Sequence, residues 1–507
     1  MGRGYGAHEL LQATLDADSF RSWDGPPLEV AQDPGYAAEL AAARERSGCD
    51  EAVVTGEGRL RGRRVAVLAC EFSFLAGSIG VAAAERLVGA VERATAERLP
   101  LLAAPASGGT RMQEGTVAFL TMVKISAAIA EHKAAGLPYL VYLRHPTTGG
   151  VLASWGSQGH VTVAEPGALV GFLGPRVYEQ LYGTPFPEGV QSAENLYRRG
   201  LVDAVIGVED LPAIADRALN VLLARSESAP EGHAAAAPQP QTEPPDEPLA
   251  EVGAWESITR SRRPERPGVR DLLRRAAGDV VPLKGTGEGE ADPGLLLALA
   301  RFGGAPCVLL GQDRSRQSTD HPLGPAALRE ARRGMRIAEE LRLPLVTVID
   351  TPGAALSREA EEQGMAGQIS RCLAELVTLR APTLAVLMGQ GSGGGALALV
   401  PADRVVAAEH AWLSPLPPEG ASAIVHRTTD RAPELAESQG VHSSRLRADG
   451  IVDRIVAEHG DAADAPEAFC VRMGHMLHHE LSELLRADPR ERLALRHRRY
   501  RRLGLPG

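Results

Sequence analysis

Short unbroken apolar runs, each ended by a glycine-rich turn and followed by a segment of helical period, recur along the chain. LPLLAA, beginning at Leu99, predicts a strand that leads into PASGGT. Residues 113 to 135 predict a helix, with Val117, Leu120, Val123, Ala127 and Ile129 broadly at helical spacing. LPYLVYL is the next strand, TTGG a turn, VLASWGSQG a helix start, and HVTVAEPGALVGF a strand, turn and strand. Continuous rather than alternating apolar character predicts parallel strands covered on both faces. The same order returns later, through LPLVTVID, a helix around Ile369 to Leu379, APTLAVLMG, GSGGGALAL and DRVVAAEHAWLS.

The two series are in register. LPLLAAPASGG at Leu99 answers LPLVTVIDTPG at Leu343, and LPYLVYLRHPTTGG at Leu137 answers APTLAVLMGQGSGG at Ala381, both offset by 244 positions. Gly149 and Gly150 fall on Gly393 and Gly394, Ala164 and Glu165 on Ala408 and Glu409. GLVDAVI at Gly200 answers GIVDRIV at Gly450. Five matches in one order argue for a duplicated fold. Between the copies, SESAPEGHAAAAPQPQTEPPDEPLAE has no apolar periodicity and reads as a linker. The expected organisation is a domain over 1–225, a Pro/Ala-rich linker over 226–251 and a domain over 252–507. The class is α/β, with parallel strands under helices.

Composition narrows the function. A formal charge of −10 speaks against nucleic acid as a partner, which would require a basic face. The 55 glycines and the low aromatic content of 4% suit many tight strand-to-helix turns. Five cysteines lie far apart without a CxxC pair, so neither a zinc ribbon nor a disulfide framework is indicated. With no export-like leader and no apolar stretch approaching ~20 residues, the reading is a soluble, cytoplasmic protein without a membrane segment.

The candidate chemistry lies in the glycine turns. Each copy places one turn after one strand (Ser107-Gly108-Gly109; Thr351-Pro352-Gly353) and another after the next (Thr148-Gly149-Gly150; Ser392-Gly393-Gly394-Gly395). Glycine serves sharp chain reversal. It also leaves backbone N–H groups bare, able to stabilise a developing oxyanion. A phosphate loop fails on spacing, since GxxxxGK[ST] is absent and GQGSGG lacks the acidic partner of a dinucleotide fold. A serine hydrolase fails too, because Gly391-Ser392-Gly393 lacks the spacer of a nucleophile elbow.

SGGTRMQEG, PTTGGVLASW, AEPGALVGFLGPRV and PEGVQSAENLYRRGLVDAVI closely resemble the β subunit of bacterial acetyl-CoA carboxylase carboxyltransferase. SRRPERPGVRDLL, LPLVTVIDTPGA, GQGSGGGALAL, SPLPPEGAS and APELAESQGV resemble its α subunit. The chain thus looks like a fused β–α carboxyltransferase of the actinobacterial type. The resemblance implies two tandem crotonase-like ββα-spiral domains related by duplication. It also implies transfer of CO2 from carboxybiotin on a carrier protein to acetyl-CoA, giving malonyl-CoA. Carboxybiotin that has released CO2 takes the α-proton itself, so no side-chain base is needed. Two anions then require shelter, and two backbone holes, at Gly149-Gly150 and Gly394-Gly395, are assigned to them. Ser107, Gly108, Gly109, Thr148, Gly353, Ser392, Gly393 and Ala396 are expected to shape the substrate pockets.

Other implications follow from the same resemblance. No ATP-grasp-like module or Met-Lys-Met attachment motif is present, so biotin carboxylase and biotin carboxyl carrier protein are expected as separate partners. The active sites of this family call for a homodimer or larger homo-oligomer. Bacterial β subunits usually open with a four-cysteine zinc ribbon; here Cys49 is the only cysteine before position 70, so no zinc is expected. GQGSGGG departs from the α-subunit pattern Gly-Glu-Gly-Gly-Ser-Gly-Gly, with Gln390 for Glu and the serine shifted by one. Two other readings keep the fold: a biotin-independent malonyl-thioester decarboxylase, and a non-catalytic scaffold. Arg111 is expected to fix a helix start, His145 to serve its turn, and RHRRYRRL, from Arg496, to be a solvated helical end.

Overall fold

The computed structural model describes residues 5–30, 34–223, 244, 247, 249, 251–318 and 320–503. Almost all of the expected linker lies outside them. The chain divides into two compact units, Met1–Leu219 and Asn220–Gly507.

In the first unit, β1 (Arg21–Ser22), β2 (Val53–Leu60), β3 (Arg63–Cys70), β4 (Leu101–Ala104), β5 (Tyr139–Leu143), β7 (Val161–Ala164) and β9 (Ala204–Val205) form one sheet in that order. The β1–β2 and β2–β3 pairs are antiparallel and the later pairs parallel. A two-residue turn closes the β2–β3 hairpin. Arg61 (φ 49°) and Gly62 (φ 85°) both take positive φ, the geometry that matches strand twist in such hairpins. A separate two-stranded parallel ladder joins β6 (Thr147–Thr148) to β8 (Val170–Gly171). The helices Val81–Ala96 and Gly115–Ala134 cover the sheet, and their small buried residues, among them Ala83, Ala84, Ala90, Ala94, Ala118 and Ala128, allow close approach. The buried face of the second helix carries Ala118, Met122, Ile125 and Ile129, whereas Val117, Leu120 and Val123 are exposed. Of the five apolar positions expected to line that helix, four therefore face outward, Ala127 being exposed as well, and only Ile129 is buried.

The second unit repeats this plan. Its sheet runs β10 (Ala277–Leu283), β11 (Leu295–Phe302), β12 (Ala305–Gln312), β13 (Leu345–Thr351), β14 (Thr383–Ser392), β15 (Arg404–Ala408) and β17 (Arg454–Val456), with β16 (Trp412–Ser414) pairing the end of β14. Antiparallel β11–β12 and the parallel series from β12 onward match β2–β3 and the series from β3. The fold class and the duplication stand as expected.

The basic C-terminal stretch departs from its expectation in part, with His497, Arg498, Arg501, Arg502 and Leu503 exposed. It forms the helix Pro489–Arg502, and Arg496 is buried rather than solvated. Its guanidinium donates to both oxygens of Asp403 (2.8 and 2.6 Å) and to the carbonyls of Leu376, Leu379 and Ala381 (2.8, 2.7 and 3.1 Å). A planar five-donor group can satisfy several acceptors at once, which offsets the desolvation of its charge.

Candidate active-site turns

The two glycine turns of the first unit are bonded to each other. Ser107 N–H donates to the Pro146 carbonyl (2.7 Å) and Thr148 N–H to the Ser107 carbonyl (2.9 Å). Ser107 Oγ accepts the Gly109 N–H (3.0 Å), which turns the chain back on itself. Gly109 (φ 112°) and Gly149 (φ 62°) occupy conformations that disfavour a side chain. They are also packed backbone to backbone: a Cβ on Gly109 would lie 3.4 Å from Gly149 Cα. Gly108 N–H donates to the Ala76 carbonyl (2.9 Å) and Gly149 N–H to the Phe172 carbonyl (2.9 Å), so both are committed within the fold. Thr110 N–H has no acceptor among the described residues. Thr110 Oγ1 lies 3.0 Å from where a Cβ on Gly150 would stand.

The second unit repeats the main features of this arrangement. Thr351 Oγ1 accepts the Gly353 N–H (3.2 Å), as Ser107 Oγ does for Gly109. Gly353 (φ 144°) and Gly393 (φ 64°) repeat the conformations of Gly109 and Gly149. Ala354 N–H, the counterpart of Thr110 N–H, likewise has no acceptor among the described residues. A Cβ on Gly395 would stand 3.2 Å from that nitrogen, so the two turns meet here as well. Gln312 Nε2 donates to the Gly395 carbonyl (2.7 Å), and Ala396 is buried beneath the turn.

Two features of these turns carry no sequence signal. One is the pair of acceptor-free amides, Thr110 and Ala354. The other is Asp350, fully buried, whose Oδ1 accepts the Gln390 N–H (3.1 Å) at the approach to the second turn. Burial raises the Asp350 carboxyl, and the nearby Arg314 guanidinium, 3.3 Å from Oδ2, opposes that shift. A Cβ on Gly389 would meet Oδ1 at 2.7 Å, which accounts for glycine there.

His145 has the turn role expected of it. Its Nδ1 accepts the Leu169 N–H (3.1 Å), and its own N–H donates to Glu165 Oε2 (2.9 Å). Arg111 likewise holds its loop in place, donating to the Ser78 carbonyl (2.8 Å). Among the described residues no group of His, Cys, Asp and Glu could hold a metal ion, and no helix is long and apolar enough to cross a membrane.

The family model described as the carboxyl transferase domain matches residues 7–495. A "Probable biotin-dependent acyl-coenzyme A carboxylase beta3 subunit" of Mycobacterium tuberculosis is 62% identical over 498 residues, 98% of each chain. The acetyl-coenzyme A carboxylase carboxyl transferase subunits beta/alpha of Salinispora tropica are 37% identical over 523 residues, 99% of this chain and 92% of theirs. Among solved structures, transcarboxylase 12S superposes with a TM-score of 0.73 at 20% identity, covering 93% of this chain and 89% of its own.

Proposed function

The chain belongs to the carboxyl transferase domain family and is the carboxyltransferase of a biotin-dependent acyl-CoA carboxylase; we propose that its acyl substrate is acetyl-CoA, carboxylated to malonyl-CoA. One observation carries the mechanism: each unit presents a pair of bonded glycine turns beside a backbone amide that has no acceptor, Thr110 in the first and Ala354 in the second. Thr110 and Ala354 are only partly buried, so their amides stay open to a ligand, and an oxygen that gains negative charge in the reaction is an acceptor they suit. The holes are therefore assigned to Thr110 with Gly150 and to Ala354 with Gly394 and Gly395. Gly149 supports its hole through the Phe172 carbonyl rather than by donating to it.

Carboxybiotin on a separate carrier would supply the CO2, and the ureido anion it leaves would take the α-proton. The chain's own task is to hold the thioester oxygen in one hole and the ureido oxygen in the other. Ser107, Thr148, Gly108, Gly109, Gly353, Gly393 and Ala396 keep those amides in place. The preference for acetyl-CoA is supported by the likeness to chains named as acetyl-CoA carboxylase subunits. Biotin carboxylase and the biotin carrier are separate partners in this reading. Met112, Val117, Phe119, Leu120 and Val123 form an exposed apolar face beside the SGGTRMQEG loop, which supports a homo-oligomer.

The purified chain, given malonyl-CoA and biocytin, is expected to release acetyl-CoA only when biocytin is present. Release that ignores biocytin would identify a decarboxylase instead. Methylmalonyl-CoA turned over faster than malonyl-CoA would move the substrate to propionyl-CoA.

A further inference from the structure

Among the described residues of the second unit, the hydroxyls of Ser392, Ser414 and Ser482 are buried with nothing to bond, and the first two lie together. Ser392 ends β14 and Ser414 ends β16, and the two are register partners in that parallel ladder. Their exposures are 0% and 4%, and neither Oγ has a hydrogen-bond partner among the described residues. Register partners on adjacent parallel strands stand side by side on one face, about 4.8 Å apart. Ser392 precedes the Gly393–Leu397 helix in an extended conformation (φ −114°, ψ 132°), where a serine commonly caps, yet its side chain makes no cap bond. A Cβ built on Gly353 would have Ser392 Oγ at 4.0 Å and nothing closer. The hydroxyl therefore lies beside the Thr351-Pro352-Gly353 turn, itself shielded from solvent.

The first unit has no such pair. The corresponding positions are Thr148 and Gly171, partners in the β6–β8 ladder. Thr148 Oγ1 is bonded to the Ser107 carbonyl (3.4 Å), and Gly171 has no side chain. Serine at 392 is also the shifted serine of GQGSGGG. One position later, at Gly393 (φ 64°), a side chain would be strained.

We propose that Ser392 and Ser414 form a binding site for a carboxylate, the carboxyl group in transfer; this rests on the function proposed above. Two donors a strand spacing apart match the two oxygens of a planar carboxylate better than they match a single oxygen. No arginine or lysine among the described residues bonds either hydroxyl. That neutrality suits a group that must leave as CO2. A cation would bind the carboxylate more tightly than the transition state from which its charge departs, slowing the step. Neutral hydroxyls orient the group with a weaker hold. In the malonyl-CoA direction, the carbon–carbon bond breaks with its electron pair left on the thioester enolate. The CO2 released joins the ureido nitrogen of biotin, and the proton of that nitrogen goes to the enolate carbon.

The test compares malonyl-CoA with acetyl-CoA, which lacks the carboxylate, by titration against the full chain and its S392A and S414A variants. Each variant is expected to bind malonyl-CoA about tenfold more weakly and acetyl-CoA unchanged. The melting temperature should not fall, because no bond of the free protein is lost. Ser392→Thr, which keeps the hydroxyl, should keep malonyl-CoA affinity. Unchanged malonyl-CoA binding, equal weakening of both thioesters, or a lowered melting temperature in S392A and S414A would overturn the proposal. Gly394→Val separates the two readings: full turnover in that variant would sink the hole assignment and leave the hydroxyl pair to be judged by its titrations. Wild-type chain that binds neither thioester would refute both.

Discussion

Arg111 and Glu51 face each other through a two-pronged ion pair, Nη1 to Oε1 at 2.6 Å and Nη2 to Oε2 at 2.7 Å, with side-chain exposures of 1% and 3%. Tyr36 joins them, its hydroxyl bonded to Glu114, and burial together with that carboxylate pushes its pKa up to about 12. Sixty positions apart in sequence, the pair fastens the loop that follows Ser107-Gly108-Gly109 to the start of β2.

Arg111→Ala should therefore act on stability, since Glu51 would be left charged and buried without its partner. The expected loss is about 3–5 kcal/mol. Urea unfolding should show it, and the double variant Arg111→Ala/Glu51→Ala should regain part of it. A single variant as stable as wild type would mean that the pair is not buried in solution.

Substitution at the turns should act on rate. A Cβ on Gly394 would come within 2.6 Å of Ile369 Cδ1, the mobile end of a side chain, so Gly394→Val should fold. Gly150→Val meets Thr110 Oγ1 at 3.0 Å and Met122 Cγ at 3.3 Å. Both variants are expected to lose roughly 10²–10³ in turnover, the usual cost of a disturbed oxyanion hole. Circular dichroism should remain that of wild type. Full activity in either would refute the hole placed there.

Glu330 should set an alkaline limit on stability. It is buried, with Oε1 accepting the Gly285 N–H (3.0 Å), and burial pushes its pKa up to about 7. A carboxyl whose folded pKa exceeds its unfolded value near 4.5 binds its proton longer in the native state. Its stabilising contribution is full below that unfolded value and declines as pH rises to about 7, by ~1.4 kcal/mol per unit at most. Glu330→Gln should flatten the fall in unfolding free energy between pH 5 and pH 8. His132 works at the other end: burial lowers its pKa to about 4, so stability should drop as pH falls from 6.5 through that value.

The five thiols should be silent in the native protein. All are buried, and burial raises Cys49 and Cys70 to about 11 and Cys372 and Cys470 to about 12, with Cys307 raised further. Because the thiolate is the reactive form, a disulfide reagent at pH 8 should titrate none within minutes and all five after denaturation. Rapid labelling of a single native thiol would show local opening at that cysteine.

Parallel strands were legible where burial on both faces makes them uniformly apolar, as in LPYLVYL and LPLVTVID. The β2–β3 hairpin was not, because Arg59, Arg61, Arg63 and Arg64 interrupt its apolar pattern while the backbone ladder continues through them. Glycines at 109, 149, 353 and 393 announced themselves, since positive φ selects that residue. The amides of Thr110 and Ala354 could not, for every residue but proline carries an N–H and only the fold decides which stays unpaired. Arg496 misled for a related reason. Basic residues on a helix normally read as solvent-facing, and Asp403, which turns this one inward, lies 93 positions earlier.

That separation has a consequence for the order of synthesis. The carbonyls at Leu376, Leu379 and Ala381 and the carboxylate of Asp403 leave the ribosome long before the guanidinium that joins them. Until Arg496 emerges, the entry to β14 and the start of β15 lack their shared anchor. The second unit is thus expected to reach its final packing only once Arg496 has emerged, while the first has by then had more than two hundred residues' worth of elongation in which to settle.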